Sequence, residues 1–202
     1  MIAQIRRRIA LGIALLFLAP VVGVCQPKTR PDAWARPIAS DFLKNWYQVD
    51  ENVYRSSQPD RKGFEEVAKK GIKTILNLRS AHSDKALVNG LGFLVVEVPM
   101  TAVGFKEDDI VKALRAIQSA PKPMLIHCQL GSDRAGVVVA MYRIIFQGWT
   151  KQDALDELVN GGFGFHNFWY PNIPAFIKNV DVMKIKRLLN LPVDSPSPLP
   201  IR

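Results

Sequence analysis

The chain has 202 residues, of which 48% are hydrophobic, and 27 Lys and Arg against 18 Asp and Glu give it a net charge of +9. That is ample apolar material for the packed core of one domain, and the charge suits anionic ligands. No basic run is interleaved with aromatics and no zinc-finger spacing occurs, so nucleic acid is excluded as a partner.

Residues 1–25 read as a targeting segment outside the fold. Arg6, Arg7 and Arg8 form a positive n-region, and the sixteen residues from Ile9 to Val24 carry no charge. This is a secretory signal peptide or an uncleaved N-terminal anchor, and its arginines stay inside while the rest of the chain crosses. The expected location is the periplasm, free or anchored in the inner membrane, with membrane association through residues 9–24. Val22-Gly23-Val24-Cys25 has the outline of a lipoprotein box, but Val24 is large for the position before the cysteine. Cleavage near Cys25 is therefore preferred to lipidation there. Removing residues 1–25 takes three arginines and no acid, so +9 becomes +6. It also leaves Cys128 as the single cysteine of the exported part, and a lone thiol in an oxidising compartment fits a reactive role better than a structural one.

Residues 26–44 read as a linker, polar and proline-bearing at the start. Trp46–Val49 and Val53–Ser56 flank the turn-rich Asp50-Glu51-Asn52 and predict a hairpin. Pro59-Asp60 opens a helix through Lys70 with Gly71 at its end. Ile72–Leu78 predicts a central strand, Lys85–Asn89 a short helix and Phe93–Val98 a further buried strand. Glu107, Asp108 and Asp109 start a helix running to Ser119, with acids at its positive end. Met124-Leu125-Ile126 is a buried strand, and Gly136–Gln147 a buried helix stopped by Gly148. Thr150 caps a helix over Lys151–Asn160, and Pro174–Leu189 is a last amphipathic helix. Residues 191–202 form a Pro/Ser-rich tail. Strands alternating with helices predict an α/β three-layer sandwich around a central, largely parallel sheet.

The chemistry concentrates between Met124 and Gly136. A strand ends at His127, a tight loop holds Cys128, Gln129, Leu130, Gly131, Ser132 and Asp133, and a helix starts near Arg134. Unpaired amides at a helix N-terminus, together with its dipole, attract an anion. The same surroundings favour a thiolate at Cys128. Arg134 offers a planar fork for two phosphoryl oxygens. A nucleophile, an anion cradle and a bidentate clamp suit phosphoryl transfer, and Gly131 permits the close backbone turn.

The pattern His-Cys-x2-Gly-x2-Arg-x-Gly, residues 127–136, resembles the signature of the cysteine-dependent protein tyrosine and dual-specificity phosphatases. Val53-Tyr54-Arg55-Ser56-x-Gln58-Pro59, Ile75–Arg79 and the stretch from Met141 to Gly164 are similar to segments of exported tyrosine phosphatases of Gram-negative bacteria. The resemblance spans about Trp46 to Gly164 and implies a phosphatase domain over residues 45–190. It implies a phosphocysteine intermediate on Cys128, phosphoryl oxygens held by Arg134 and the amides of Gln129–Arg134, a loop-supporting role for His127, and no metal or other cofactor. The implied substrate is phosphorylated protein, phosphotyrosine first.

The chain departs from that pattern at two points. Relatives place an acidic proton donor on the loop after the Phe93–Val98 strand, but residues 99–106 contain no acid. Asp133 is the preferred substitute, because Cys-x2-Gly-x-Asp-Arg resembles the loop of myotubularin-type lipid phosphatases, where that Asp is the acid. Asp108 and Asp109 are the alternatives, and bracing of the loop by Asp133, through Arg79, Arg143 or a backbone amide, is the plainer reading. The same Asp133 keeps a phospholipid or inositol-phosphate substrate open. Ala135 is the second departure: most relatives have Ser or Thr there, whose hydroxyl helps the thiolate leave. A catalytically weak phosphate-binding module is the reading from another class. Arg79 and His82 are expected as exposed loop residues. The aromatic run Phe163–Tyr170 either walls the site or packs in the core.

Overall fold

A computed structural model describes residues 30–193. The leader, Cys25 and the tail beyond residue 193 lie outside the described residues. No helix among the described residues is long and apolar enough to cross a membrane.

A six-stranded sheet forms the middle layer. Its strands are β1 (Arg36–Pro37), β2 (Tyr47–Gln48), β3 (Val53–Ser56), β4 (Thr74–Arg79), β5 (Leu94–Met100) and β6 (Met124–His127), in the spatial order β1-β2-β3-β6-β4-β5. The β1–β2 and β2–β3 pairings are antiparallel, the latter being the expected hairpin. β3, β6, β4 and β5 run parallel. In the ladder His127 of β6 sits between Ser56 of β3 and Asn77 of β4, so β6 ends in the centre of the sheet with the following loop at its carboxyl edge. Open α/β sheets place ligands at that edge.

Alternation along the strands divides the core. Leu125, Tyr54 and Ile75 face one side with Phe64 and Val67 of helix α1 (Arg61–Lys69). Met124, Ile126, Val53 and Leu76 face the other side, with helices α2 (Glu107–Ser119), α3 (Arg134–Gln147), α4 (Lys151–Asn160), α5 (Asn172–Asn179) and α6 (Val182–Leu188). The result is the three-layer α/β sandwich. Phe64 is fully buried, a contribution of about 1.5–3 kcal/mol from apolar burial. Helix α3 is buried on nearly every face from Ala135 to Ile145, and this pins its first turn against the loop that precedes it. The helix ends follow the sequence signals: Asp60 caps α1 through Gly63 N, Thr150 caps α4 through Asp153 N, and Gly148 ends α3 at φ +70°.

The structure corrects three expectations. Lys85–Asn89 forms turns and no helix: Val88 N donates to Asp84 O, and Gly90 and Gly92, both at positive φ, stop propagation after one turn. The last helix is two, because the Asp181 carboxylate accepts Lys184 N and so starts α6 afresh after α5 ends at Asn179. Residues 30–44, taken as linker, are built into the domain. Arg36 and Pro37 pair with β2, Ala35 and Leu43 are buried, and Ala35 N donates to the buried Glu157 carboxylate at 2.6 Å.

Candidate active site

The loop from Cys128 to Asp133 is held from outside by its own carbonyls. Gln129 O accepts from Gln58 N at 3.1 Å and Leu130 O from Asn45 Nδ2 at 2.8 Å. Gly131 O and Ser132 O both accept from one Arg55 nitrogen, at 2.6 and 3.3 Å. A planar trans peptide sets its N–H opposite its C=O. Turning these carbonyls outward therefore turns the amides of Leu130, Gly131, Ser132 and Asp133 to the inner side of the bend. Among the described residues none of the four amides has a protein acceptor. They form a concave row of donors between the Cys128 thiol and the N-terminus of α3, a built anion site.

Two features make that bend possible. Gly131 sits at φ +75°, and a Cβ there would meet Ser56 C and O at 2.5 Å and Ser57 N at 2.6 Å, so the loop lies on backbone and only glycine fits. Arg55 supplies the second. It projects from the fully buried β3 and is 1% exposed, with its guanidinium 3.8 Å from the centroid of the Phe163 ring. Burial pulls its pKa down to about 10, while the Glu157 carboxylate and then Cys128 act to raise it, so it remains a cation at neutral pH. That cation lies beneath the loop.

His127 anchors the other end. Its ring is fully buried, and Nε2 lies 2.7 Å from Asp84 Oδ2. Asp84 Oδ1 accepts from Gln58 Nε2 at 2.7 Å, and Gln58 Oε1 accepts from Arg79 at 3.0 Å. Burial alone would push the Asp84 carboxyl up. The bond and charge of His127, the Gln58 bond and the nearby His82 outweigh it and hold the carboxyl below the ordinary range. Gln58 therefore joins this buried chain, which its side chain binds, to the phosphate loop, which its backbone N–H binds at Gln129 O.

Cys128 is 2% exposed at the base of the bend. Arg134 is the first residue of α3, and its guanidinium donates to Met100 O at 3.3 Å, at the end of β5. Asp133 lies against residue 166: Oδ1 accepts from His166 N at 3.0 Å, and the His166 Nδ1 lies 3.1 and 3.0 Å from the two carboxylate oxygens. Of the bracing partners expected from the sequence, a backbone amide is the one present, and neither Arg79 nor Arg143 is bonded to it. Asp108 is exposed and paired with Lys112 at 2.7 Å. Asp109 accepts from Lys106 N at 2.8 Å and caps α2. Gln129 and Leu130 are exposed at the mouth, while Ser132 is buried and donates to Phe163 O at 2.7 Å. Ala135 is fully buried. The aromatic run divides: Phe163 is core beneath the loop, whereas Phe168 and Trp169 are exposed.

Sequence reasoning missed Asn45 and Asp84, and it took no role from Arg55 or His166. A charged residue in the strand Val53–Ser56, which the sheet buries completely, was the available signal for Arg55. Asp84 reaches His127 across 43 positions, and no local pattern announces that contact.

The family model described as "Tc-R-P: Polymorphic toxin system, DSP-PTPase phosphatase" matches residues 49–148. The chain is 31% identical over 171 residues to the dual specificity protein phosphatase TpbA of Pseudomonas aeruginosa, an alignment covering 84% of this chain and 77% of that protein. A crystal structure of P. aeruginosa TpbA in complex with phosphotyrosine matches with a TM-score of 0.72 and 29% identity, over 80% of this chain and 99% of that one. The core catalytic domain of the PP-IP phosphatase Siw14 from S. cerevisiae, in complex with citrate, matches with a TM-score of 0.66 and 25% identity, over 75% and 94% of the two chains. A cysteine-led anion cradle closed by an arginine, on this sheet and with these relatives, places the chain in the dual-specificity protein phosphatase family of the cysteine-dependent phosphatases, which are phosphoric monoester hydrolases.

Proposed function

We propose that this phosphatase acts on phosphotyrosine in proteins through a phosphocysteine on Cys128. The observation that carries the reading is the row of inward amides from Leu130 to Asp133, which begins at the Cys128 thiol and ends at Arg134. The relative crystallised with phosphotyrosine supplies the substrate class. In the first half-reaction the Cys128 sulfur attacks phosphorus in line, a sulfur–phosphorus bond forms and the ester oxygen leaves. The amides and the Arg134 guanidinium stabilise charge growing on the equatorial oxygens. Water then cleaves the phosphocysteine, releasing phosphate and restoring the sulfur. His127, buried and fixed by Asp84, holds the strand end from which Cys128 projects and stays out of proton transfer.

Export completes the reading. The arginines at 6–8 followed by uncharged residues 9–24 support delivery across the inner membrane, where the phosphatase meets periplasmic phosphoprotein, free or from its anchor. Protease treatment of spheroplasts tests this, since export exposes the domain and a cytoplasmic location protects it.

A second reading, turnover of an inositol phosphate or phosphoinositide, draws support from the likeness to the PP-IP phosphatase Siw14 and from the basic balance of the chain. Against it, the variable loop positions Gln129, Leu130 and Ser132 bring no cation to a polyanion. The deciding experiment gives the full chain a phosphotyrosine peptide, a phosphoserine peptide, an inositol polyphosphate and a phosphoinositide, with Cys128→Ser as control. A clear preference for the phosphotyrosine peptide, lost in Cys128→Ser, supports the first reading. Selective release from an inositol compound supports the second.

A further inference from the structure

We propose that His166 is the proton donor to the leaving oxygen and that Asp133 is its positioning residue. This deepens the phosphocysteine reading and rests on it.

The ester oxygen departs from the side of phosphorus opposite Cys128, at the mouth of the bend, so its proton must come from a group at that mouth. The carboxylates expected from sequence are engaged elsewhere. Asp109 caps α2, Asp108 projects into solvent beside Lys112, and the loop between β5 and α2 contains no acid. Asp133 has the right place in the chain, but its side chain is only 10% exposed and both oxygens lie against one residue, His166.

That residue is tied to the rim of the loop. Asn45 Nδ2 bridges Leu130 O and Phe163 O, at 2.8 and 2.9 Å, and Ser132 Oγ donates to Phe163 O at 2.7 Å. The segment leading to His166 is thereby stitched alongside Leu130, Ser132 and Asp133. The His166 side chain is 38% exposed, far more than the Asp133 side chain beneath it. Its Nδ1 edge is held by the carboxylate, which leaves Nε2 on the far edge of the ring as the nitrogen that meets substrate. Among the described residues, the ring meets Asp133, from the start of α3, through Nδ1, and Tyr170 edge-on, with ring centroids 6.3 Å apart. A carboxylate against one nitrogen fixes the tautomer and orientation of an imidazole.

The steps balance. As the Cys128 sulfur bonds to phosphorus and the phosphorus–oxygen bond breaks, the proton on His166 Nε2 passes to the departing oxygen. The imidazole is left neutral, with its Nδ1–H on Asp133. When water attacks the phosphocysteine, Nε2 takes a proton from that water, the sulfur leaves as thiolate, phosphate is released and the imidazolium is restored.

The test uses a series of aryl phosphates, from p-nitrophenyl phosphate to phenyl phosphate, with the full chain carrying His166→Asn. An asparagine amide can keep the bond that Nδ1 makes to Asp133 but has no group at the Nε2 position, so a merely bracing role survives the change. Expected is a loss of kcat/KM for phenyl phosphate of about 10²–10⁴, a much smaller loss for p-nitrophenyl phosphate, and disappearance of the basic limb of the pH profile for phenyl phosphate. Asp133→Asn should steepen the dependence on leaving group in the same way, and should add little in the His166→Asn background. If His166→Asn does not fold, His166→Gln, which puts an amide near the Nε2 position but no acid, gives the same leaving-group readout, with folding judged by Tm and vanadate binding. A leaving-group slope and basic limb unchanged from the parent overturn the proposal, as does an effect of Asp133→Asn without one of His166→Asn. Turnover retained in Cys128→Ser would instead overturn the phosphocysteine reading itself.

Discussion

The Arg55 guanidinium donates to the Gly131 carbonyl at 2.6 Å from within the core, and this one bond turns the N–H that follows to the inner side of the bend. A cation held under the outer surface of the loop does more than neutralise charge. It takes the carbonyl oxygens of Gly131 and Ser132 out of the cradle, so the anion meets donors alone.

Replacing Arg55 should therefore damage binding and fold together. In Arg55→Met the Gly131 and Ser132 carbonyls stay buried without a donor, and each such group costs about 1–3 kcal/mol. Misplacement of the amides by about 1 Å is enough to lower kcat/KM by roughly 10². Vanadate binding by calorimetry should weaken with the rate, and Tm should fall. Arg55→Lys, able to reach one carbonyl, should lie between.

Gly131→Ala probes the same bend by sterics. The added carbon would sit 2.5 Å from Ser56 backbone atoms at a φ of +75°, so the loop must move off β3 or the peptide must flip. Turnover should drop by about 10² or more, as for loss of an oxyanion donor. The Tm change should stay small relative to the activity change, because the loop contributes only Cys128 to the two hydrophobic clusters. A variant with parental kcat/KM would show that the cradle is not set by this contact.

Ala135→Ser tests the second half-reaction. Ala135 is buried in the first turn of α3, next to Arg134, at the position where most relatives carry a hydroxyl that helps the sulfur leave. Steady-state turnover should rise while the burst of first product keeps its amplitude. An unchanged ratio of burst to steady-state rate would mean that phosphocysteine breakdown does not limit the enzyme.

The sequence carried the loop, the alternation of elements and most helix ends, because these are local signals: glycine after a helix, Asp or Thr before one, an apolar run between them. It failed where the deciding partner is distant. Arg30 donates to Gly161 O and Arg143 Nη2 to Ala33 O, so a stretch with linker composition becomes part of the core assembly. A single Asp181 side chain divides the last helix although the apolar spacing runs through the break. Asp133 was legible as a loop carboxylate, but its commitment to His166, 33 positions on, was not.

The Asp84–His127 pair gives a pH prediction with a definite sign. The folded-state carboxyl of Asp84 lies below its unfolded value, so it binds its proton less readily when folded. Its contribution is present in full above the unfolded pKa, about 3.9, and is lost as pH falls through the lower folded value. The parent should lose stability steeply below about pH 4, a range set by the ordinary Asp pKa. Asp84→Asn should be less stable at neutral pH and flatter across the acid range. Denaturant unfolding at a series of pH values measures both, and an acid limb of parental slope in Asp84→Asn would assign acid sensitivity to other carboxylates.

Glu157 tests the strap formed by residues 30–37. Its carboxylate is 2% exposed, takes Arg143 Nε at 2.9 Å and a second Arg143 nitrogen at 2.8 Å, and accepts Ala35 N at 2.6 Å. The same Arg143 donates to Ala33 O at 3.1 Å and lies 4.2 Å from the centroid of the Trp149 ring. In Glu157→Gln the oxygen facing Ala35 survives, but an amide N–H points at the guanidinium and the buried cation loses its counter-charge. Breaking a buried pair from one side costs about 3–5 kcal/mol, which for a domain of this size is on the order of 10 °C in Tm. Because Glu157 is also the main charge supporting the Arg55 cation under the loop, vanadate affinity should fall with Tm. Limited proteolysis should then cut between residues 30 and 37 before it cuts elsewhere in the described domain. If Glu157→Gln melted at the parental temperature with this strap still protected, the ion pair would not be what holds the strap, and packing of Ala35 and Leu43 alone would have to account for it.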